Sequence, residues 1–123
     1  MWPFKDEKII ITREEVIDLL PDADFIQVLD REYILPSMDD ILEVLGEDLT
    51  TYIAETNDCD DFAYRAKGLA SGHGWPFAIA YPHKIGHIMN MFISKDKQVM
   101  LLEPQTREVK KEGGQYTYNS IVI

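Results

Sequence analysis

The sequence predicts an α+β domain in which N-terminal helices pack on an antiparallel sheet. Helical spacing of apolar residues is confined to the first half of the chain, and apolar segments separated by short polar turns fill the part from Phe77 onward. Such a segregation of helices and strands is typical of α+β folds, since α/β folds alternate the two. The 123 residues are enough for one core, so we expect a single domain over residues 1–123.

Three helices are predicted in the first half. Thr12 and Glu15 have the spacing of a capping box before an apolar stripe, and Pro21 ends this first helix. Ser37 caps a second helix, and a third begins around residues 57–59 and ends at a glycine-containing break. Each of these segments has one apolar side, which favours packing on a sheet.

Four strands are predicted in the second half and pair as an antiparallel sheet. They cover residues 77–81, 87–94, 99–103 and 116–122. Residues 95–97 form the hairpin turn between the second and third strands, and residues 110–114 form a second polar turn. The pattern over residues 25–29 fits either a short strand or a packed turn.

Composition and charge exclude several classes of protein. Apolar residues make up 46% of the chain, which rules out wholesale disorder. The 12 basic and 22 acidic residues give a net charge of −10, and an acidic surface repels both nucleic-acid phosphates and anionic membranes. We therefore expect neither a nucleic acid nor a membrane as partner, and the oligomeric state stays open.

Cysteine usage and the N-terminal residues indicate a cytoplasmic protein. The single cysteine, Cys59, excludes a disulfide-stapled scaffold and a cysteine-rich zinc module. No apolar run approaches the roughly 20 residues of a membrane span, and charged residues stand where the apolar region of a signal peptide would begin.

Three residues have the types and the order of a nucleophile with its base and an orienting acid. Cys59 stands at the start of a predicted helix, where unpaired amides and the helix dipole favour a thiolate. His87 opens one strand of a predicted hairpin and Glu103 closes the other, so the two side chains should be neighbours. A cysteine aimed at that end of the sheet would complete the set. Gly86 would allow a close backbone approach that aims the histidine.

The placement of these residues resembles the papain-like and transglutaminase-like cysteine peptidase superfamily. Residues 58–63 are similar, more particularly, to the C-terminal protease domain of the mushroom (Marasmius) agglutinin family, over roughly residues 52–105. The resemblance implies a papain-like core and one cysteine-peptidase-like domain. It also implies a triad of Cys59 as nucleophile, His87 as base and Glu103 as orienting group. Tyr52 stands where papain-like enzymes carry a glutamine.

Three aspartates flank the cysteine, namely Asp58, Asp60 and Asp61. Carboxylates raise the pKa of a nearby thiol, against the effect of the helix, and a bound cation would remove that conflict. Clustered carboxylates suit calcium, which the resemblance to the agglutinin family also implies. The same aspartates are equally explained as a helix cap and as acids in the first turn. Zinc is disfavoured, because the sequence offers one cysteine and scattered histidines.

The leading prediction for function is a cysteine hydrolase, a protease or amidase, that acts on a peptide or protein substrate through an acyl-enzyme. The alternative is a catalytically silent, acidic interaction or inhibitor protein, such as a phage or host-directed inhibitor, which the charge of −10 also fits. A third interpretation is a structural assembly component with a buried Cys59. His73 and His83 are expected to be exposed turn residues.

Overall fold

The structure, a computed structural model, describes residues 8–46, 59–84, 87–103, 106 and 108–123. The strands are β1 (Ile10–Thr12), β2 (Ala23–Gln27), β3 (Glu32–Ile34), β4 (Phe77–Pro82), β5 (Met89–Ile93), β6 (Val99–Leu102), β7 (Val109–Lys111) and β8 (Tyr118–Val122). The helices are α1 (Arg13–Leu19), α2 (residues 38–46) and α3 (Cys59–Ser71). None of the helices in these ranges is long and apolar enough to cross a membrane.

The strands form a six-stranded mixed sheet and a separate two-stranded one. The order in the large sheet is β2-β8-β4-β5-β6-β7, and β1 pairs with β3. All neighbours in the large sheet are antiparallel except β2 and β8, which run parallel with Ala23 opposite Tyr118 and Gln27 opposite Val122. β8, the last strand, therefore lies next to the edge of the sheet, where β2 is the outer strand.

The predicted fold class is wrong in two respects. The first half of the chain is not a helical half, because it contributes β1, β2 and β3. The sheet is not antiparallel throughout, because residues 23–27 pair in parallel with β8. That partner is distant in the sequence, and a short apolar pattern does not reveal distant pairing. Residues 109–111, placed largely in a predicted turn, form β7 against β6.

The central strands are buried on both faces because each face has its own covering layer. Met89 and Met91 share a buried cluster with Val16 of α1 and Tyr33 of β3. On the opposite face, Phe92 belongs to a second cluster with residues of α2 and α3. All five residues of β5 are consequently buried, which is the pattern of a strand between two layers rather than of a half-exposed one.

The caps of the first two helices match the sequence predictions. The Thr12 hydroxyl accepts a hydrogen bond from the Glu15 amide, and the Glu15 carboxylate accepts one from the Thr12 amide, each at 3.3 Å. Ser37 and Asp40 exchange the same pair of bonds at 3.1 Å. Each pair satisfies amides that the first helical turn leaves without a partner.

The direction of α3 determines which residues share its end of the sheet. Near the start of the helix, Ala63 packs with Ile88, and its carbonyl accepts a hydrogen bond from Asn90 Nδ2 at 3.0 Å. Near the end of the helix, Ala70 belongs to the cluster around Phe92. The helix therefore runs alongside β5 in the same direction, and α3 begins at the end of the sheet where β5 begins.

Candidate functional site

His87 and Glu103 meet at the end of the sheet where β5 begins and β6 ends. The antiparallel register pairs Asn90 with Leu102, so residues just before β5 lie beside those just after β6. His87 Nε2 lies 3.3 Å from Glu103 Oε2, and the two side chains are 27% and 20% exposed. The structure thus brings together the two residues that the hairpin geometry places side by side.

The backbone of Glu103 is fixed next to β7, and one oxygen of its carboxylate faces His87. Its amide donates to the Glu108 carbonyl at 2.9 Å, which fixes the end of β6. Its second oxygen, Oε1, is buried and accepts no hydrogen bond within the described part of the chain. Because the carboxylate engages Nε2 of His87, a ligand that contacts the imidazole would do so through Nδ1.

The backbone places Cys59 at the same end of the sheet. Cys59 is the first residue of α3, one helical turn, or about 6 Å, before Ala63. Ala63 in turn lies against Asn90, three residues after His87. The structure therefore brings the start of α3 to the end of the sheet that holds the His87–Glu103 pair.

Several residues of the predicted site lie outside the described residues. They are Tyr52, Asp58 and Gly86, together with the side chains of Cys59 and Asp60. Asp61 is half-buried in the first turn of α3. Within the described ranges no three side chains of the metal-ligating types form a cluster. The predicted calcium site and the thiol geometry therefore stay predictions.

A groove of about 380 Å³ opens at the end of β4, and we call it the basic groove. Its polar and aromatic lining consists of Tyr81, His83, Lys84, His87, Asn119 and Ser120. Three of these side chains carry or can gain a positive charge, and no carboxylate lines the described part of the groove. In a chain with a net charge of −10, a lining with Lys84 and two histidines but no carboxylate is locally less acidic than the rest of the surface.

A second groove, of about 450 Å³, is also lined by His83, and we call it the acidic groove. Its principal lining residues are Asp22, Asp24, His83, Gly114, Tyr116 and Thr117. It contains two carboxylates, and its described lining includes neither lysine nor arginine. The two grooves therefore share one histidine and differ in the sign of their charge.

His83, which lines both grooves, is held through both of its ring nitrogens. Nδ1 lies 2.9 Å from Thr117 Oγ1, and Nε2 lies 2.8 Å from Asp24 Oδ2. The His83 amide also donates to the Thr117 carbonyl at 3.1 Å. The sequence prediction treats His83 as an exposed turn residue and misses this role. Its spacing from Lys84 and His87, three basic residues in five positions of an acidic chain, is the signal that could have revealed the groove.

The wall of the acidic groove is fixed by Glu112. This carboxylate accepts hydrogen bonds from the Tyr118 hydroxyl at 3.0 Å and from the Gly114 amide at 2.8 Å. Gly114 has a φ of 74°, a left-handed conformation that glycine adopts without steric cost. Burial, together with the nearby Glu112 carboxylate, raises the pKa of Tyr118.

No known protein family matches the chain, and no curated protein matches it either. Two solved structures that match are PSL1a in complex with E64 and the Polyporus squamosus lectin bound to the human-type influenza-binding epitope Neu5Aca2-6Galb1-4GlcNAc. Their TM-scores are 0.75 and 0.71, at 20% and 19% sequence identity. The alignments cover 93% of this chain but only 51% and 49% of the other chains. The chain thus spans about half the length of these structures, and the likeness establishes a shared fold.

These comparisons contradict the predicted family and function. The matching fold is that of a lectin structure, not of a papain-like or transglutaminase-like peptidase, and the mixed sheet replaces the predicted papain-like core. The cysteine hydrolase with its peptide or protein substrate is corrected accordingly, and the silent inhibitor gains no support. The prediction failed because it inferred a function from the positions of three residue types. A cysteine at a helix start, near a histidine and an acid on a hairpin, does not by itself define a catalytic function.

Proposed function

We propose that this chain is a carbohydrate-binding domain that takes an acidic sugar in the basic groove. The observation that carries the proposal is the charge of the lining. Lys84 carries a positive charge there and no carboxylate is among the described lining residues, although the chain as a whole is strongly acidic. His83 and His87 stand beside it, each paired with a carboxylate outside the lining, Asp24 and Glu103. A sugar carboxylate would form charge-assisted hydrogen bonds in this groove, while the remaining acidic surface would repel it.

The other lining residues suit the hydroxyl groups of a sugar. Asn119 offers an amide and Ser120 a hydroxyl, and both groups donate and accept hydrogen bonds. The Tyr81 hydroxyl shares a 2.7 Å hydrogen bond with Tyr64, which steadies the aromatic wall of the groove. A few placed polar groups around an aromatic surface are typical of small-molecule sites.

The comparison with solved structures supports a glycan as the class of ligand. The Polyporus squamosus lectin, which shares this fold, is bound to a glycan that contains the acidic sugar Neu5Ac. The choice of the basic groove rests on the lining charges of this chain, not on that complex.

The test is a titration of the isotope-labelled chain with Neu5Aca2-6Galb1-4GlcNAc, followed by NMR, with the neutral disaccharide Galb1-4GlcNAc as control. We expect only the acidic glycan to bind and to shift amide signals around residues 81–84, 87 and 119–120. Lys84→Met and His87→Gln should each weaken binding about tenfold, the effect of one charge-assisted contact. Lys111→Met, which removes a charge on the opposite edge strand, should leave the affinity unchanged. Equal binding of the neutral disaccharide, or shifts confined to other residues, would contradict the proposal.

A second proposal concerns Cys59, His87 and Glu103. It is favoured by the position of the start of α3 beside the His87–Glu103 pair, and by the E64 complex of PSL1a, which shares the fold. We propose that the Cys59 thiol gives its proton to His87 and that the sulfur then opens the epoxide of E64. A sulfur–carbon bond forms, a carbon–oxygen bond breaks, and the imidazolium protonates the oxygen, while Glu103 orients the ring. No peptide or amide bond is cleaved in this step.

Intact-mass spectrometry tests this second proposal. The chain should gain the mass of one E64 molecule, Cys59→Ala should gain none, and His87→Gln should react about 100-fold more slowly, the low end of a general-base contribution. Glu103→Gln, which keeps the shape but weakens the orienting pair, should fall between the wild type and His87→Gln. An unmodified wild type, or modification of Cys59→Ala, would overturn the assignment.

Calcium at Asp58, Asp60 and Asp61 and a cytoplasmic location are retained as proposals from the sequence. Calcium that binds only the folded state would raise the melting temperature by mass action. The measurement compares melting in EDTA and in calcium, with Asp60→Asn plus Asp61→Asn as the control. Equal melting in the two buffers would exclude the metal and leave the aspartates as capping residues. Fractionation of the source cells tests the location.

A further inference from the structure

We infer that the basic and acidic grooves bind the two ends of one extended ligand, with its acidic group in the basic groove. This inference rests on the proposed function and adds to it the length and the direction of the ligand. It starts from the observation that His83 lines both grooves.

The His83 imidazole is a fixed boundary rather than a mobile gate. Its two ring nitrogens and its backbone amide are all engaged with Asp24 or Thr117, at 2.8–3.1 Å. A ring held through both of its nitrogens keeps its position when a ligand arrives, and it lines both grooves. Because little ordering is needed on binding, the affinity cost of assembling this surface is small.

The opposite charges would fix the direction of the ligand. Asp22 and Asp24 present carboxylate oxygens that accept hydrogen bonds from sugar hydroxyls and repel an acidic group. In the basic groove, which His83 also lines, the Lys84 ammonium attracts that acidic group. A ligand with its acid at one end and hydroxyls along the rest therefore fits in one direction only.

The far wall of the acidic groove is a held aromatic ring. Tyr116 lies with its ring 6.2 Å from that of Tyr118, and the Lys110 ammonium lies 5.8 Å from its centre. The side chain is half-buried, so a sugar ring can pack on its remaining exposed surface. Each groove is near the lower end of the volumes typical of small-molecule sites. A trisaccharide would therefore need both.

The experiment compares the affinities of free Neu5Ac and of Neu5Aca2-6Galb1-4GlcNAc, measured by calorimetry on the full chain. We expect the trisaccharide to bind at least tenfold more tightly. Asp22→Asn and Tyr116→Ala should remove most of that gain without changing the affinity for free Neu5Ac. NMR spectra of both variants check that the fold is retained, and Asp22→Asn is isosteric and exposed, so it tests the inference even where Tyr116→Ala disturbs the loop.

The outcomes separate the two proposals. Equal affinity of the wild type for both compounds would overturn the extended ligand and leave the acidic-sugar site intact. A trisaccharide gain that survives both variants would also overturn it. Absence of binding by either compound would overturn the proposed function and this inference together.

Discussion

The two grooves that His83 lines differ in their support as much as in their charge. The basic groove follows β4 and precedes β5, the strands that are buried on both faces and carry α3. The acidic groove is built on the edge strand β2 and on the segment before β8. Local opening of a fold is easiest where few buried contacts hold it, so the acidic side should be the more adaptable. The difference teaches that the charged end of a ligand can be recognised by the stiffer groove and the rest of the ligand by the more adaptable one.

The largest expected effect comes from Asn90 of β5, three residues after His87. This buried side chain donates to the carbonyls of Ala63 and Ala78 at 3.0 and 3.1 Å and so ties α3 to β4 and β5. Asn90→Ala removes both bonds and leaves a cavity, which should lower the free energy of unfolding by about 2–3 kcal/mol. Urea unfolding monitored by tryptophan fluorescence measures the loss.

The matched control for this change is Asn119→Ala. Asn119 is an exposed residue of the same type that lines the basic groove, so its replacement should change the free energy of unfolding by less than about 0.5 kcal/mol. Equal effects of the two variants would show that the helix is not fixed through Asn90, and the contrast in stiffness between the grooves would lose its basis.

The sequence predicts the parts of this molecule that are local and misses those that are not. The Thr12 capping box and the His87–Glu103 neighbours follow from spacing within one helix turn or one hairpin, and the structure has both. The parallel pairing of β2 with β8 joins segments far apart in the chain, and no local pattern encodes it. The acidic groove depends on that pairing, since it brings Asp24 to Thr117 through His83. The acidic groove is therefore not predictable from local sequence patterns.

An intermediate effect is expected at Tyr118, which holds the wall of the acidic groove. Tyr118→Phe removes the 3.0 Å hydrogen bond to Glu112 and should lower the free energy of unfolding by about 1–2 kcal/mol at neutral pH. Because the loss falls on the adaptable side, the amide signals of residues 112–117 should shift while those around His87 stay in place. Shifts that reach both grooves would show that the two sides are one rigid unit.

The contribution of Tyr118 to the free energy of unfolding should also depend on pH. Burial and Glu112 raise its pKa above the ordinary value of 10.0, so the folded chain keeps this proton after the unfolded chain has lost it. The contribution to stability is complete below pH 10.0 and declines as the pH rises toward the folded pKa. Lys67 acts in the opposite sense, because burial lowers its pKa and folding gains as the pH rises toward 10.5. The difference between wild type and Tyr118→Phe, measured across this range, isolates the tyrosine.

The smallest effect is expected at Glu15, which lies far from both grooves in the cap of α1. The Lys97 ammonium, 3.1 Å from its carboxylate, and then the Thr12 amide lower the pKa of Glu15 below 4.5. A lowered folded pKa stabilises the fold above pH 4.5, and this contribution is lost as the pH falls through the folded value. Glu15→Gln should therefore flatten the acid side of the stability profile between about pH 6 and pH 3 and lower the neutral stability by the same amount, which is small because the pair is exposed. The affinity of this variant for Neu5Aca2-6Galb1-4GlcNAc should equal that of the wild type, since neither groove includes α1 or the turn at Lys97. A changed affinity would mean that binding reports global stability, and the contrast between a stiff basic side and an adaptable acidic side would then have to be abandoned.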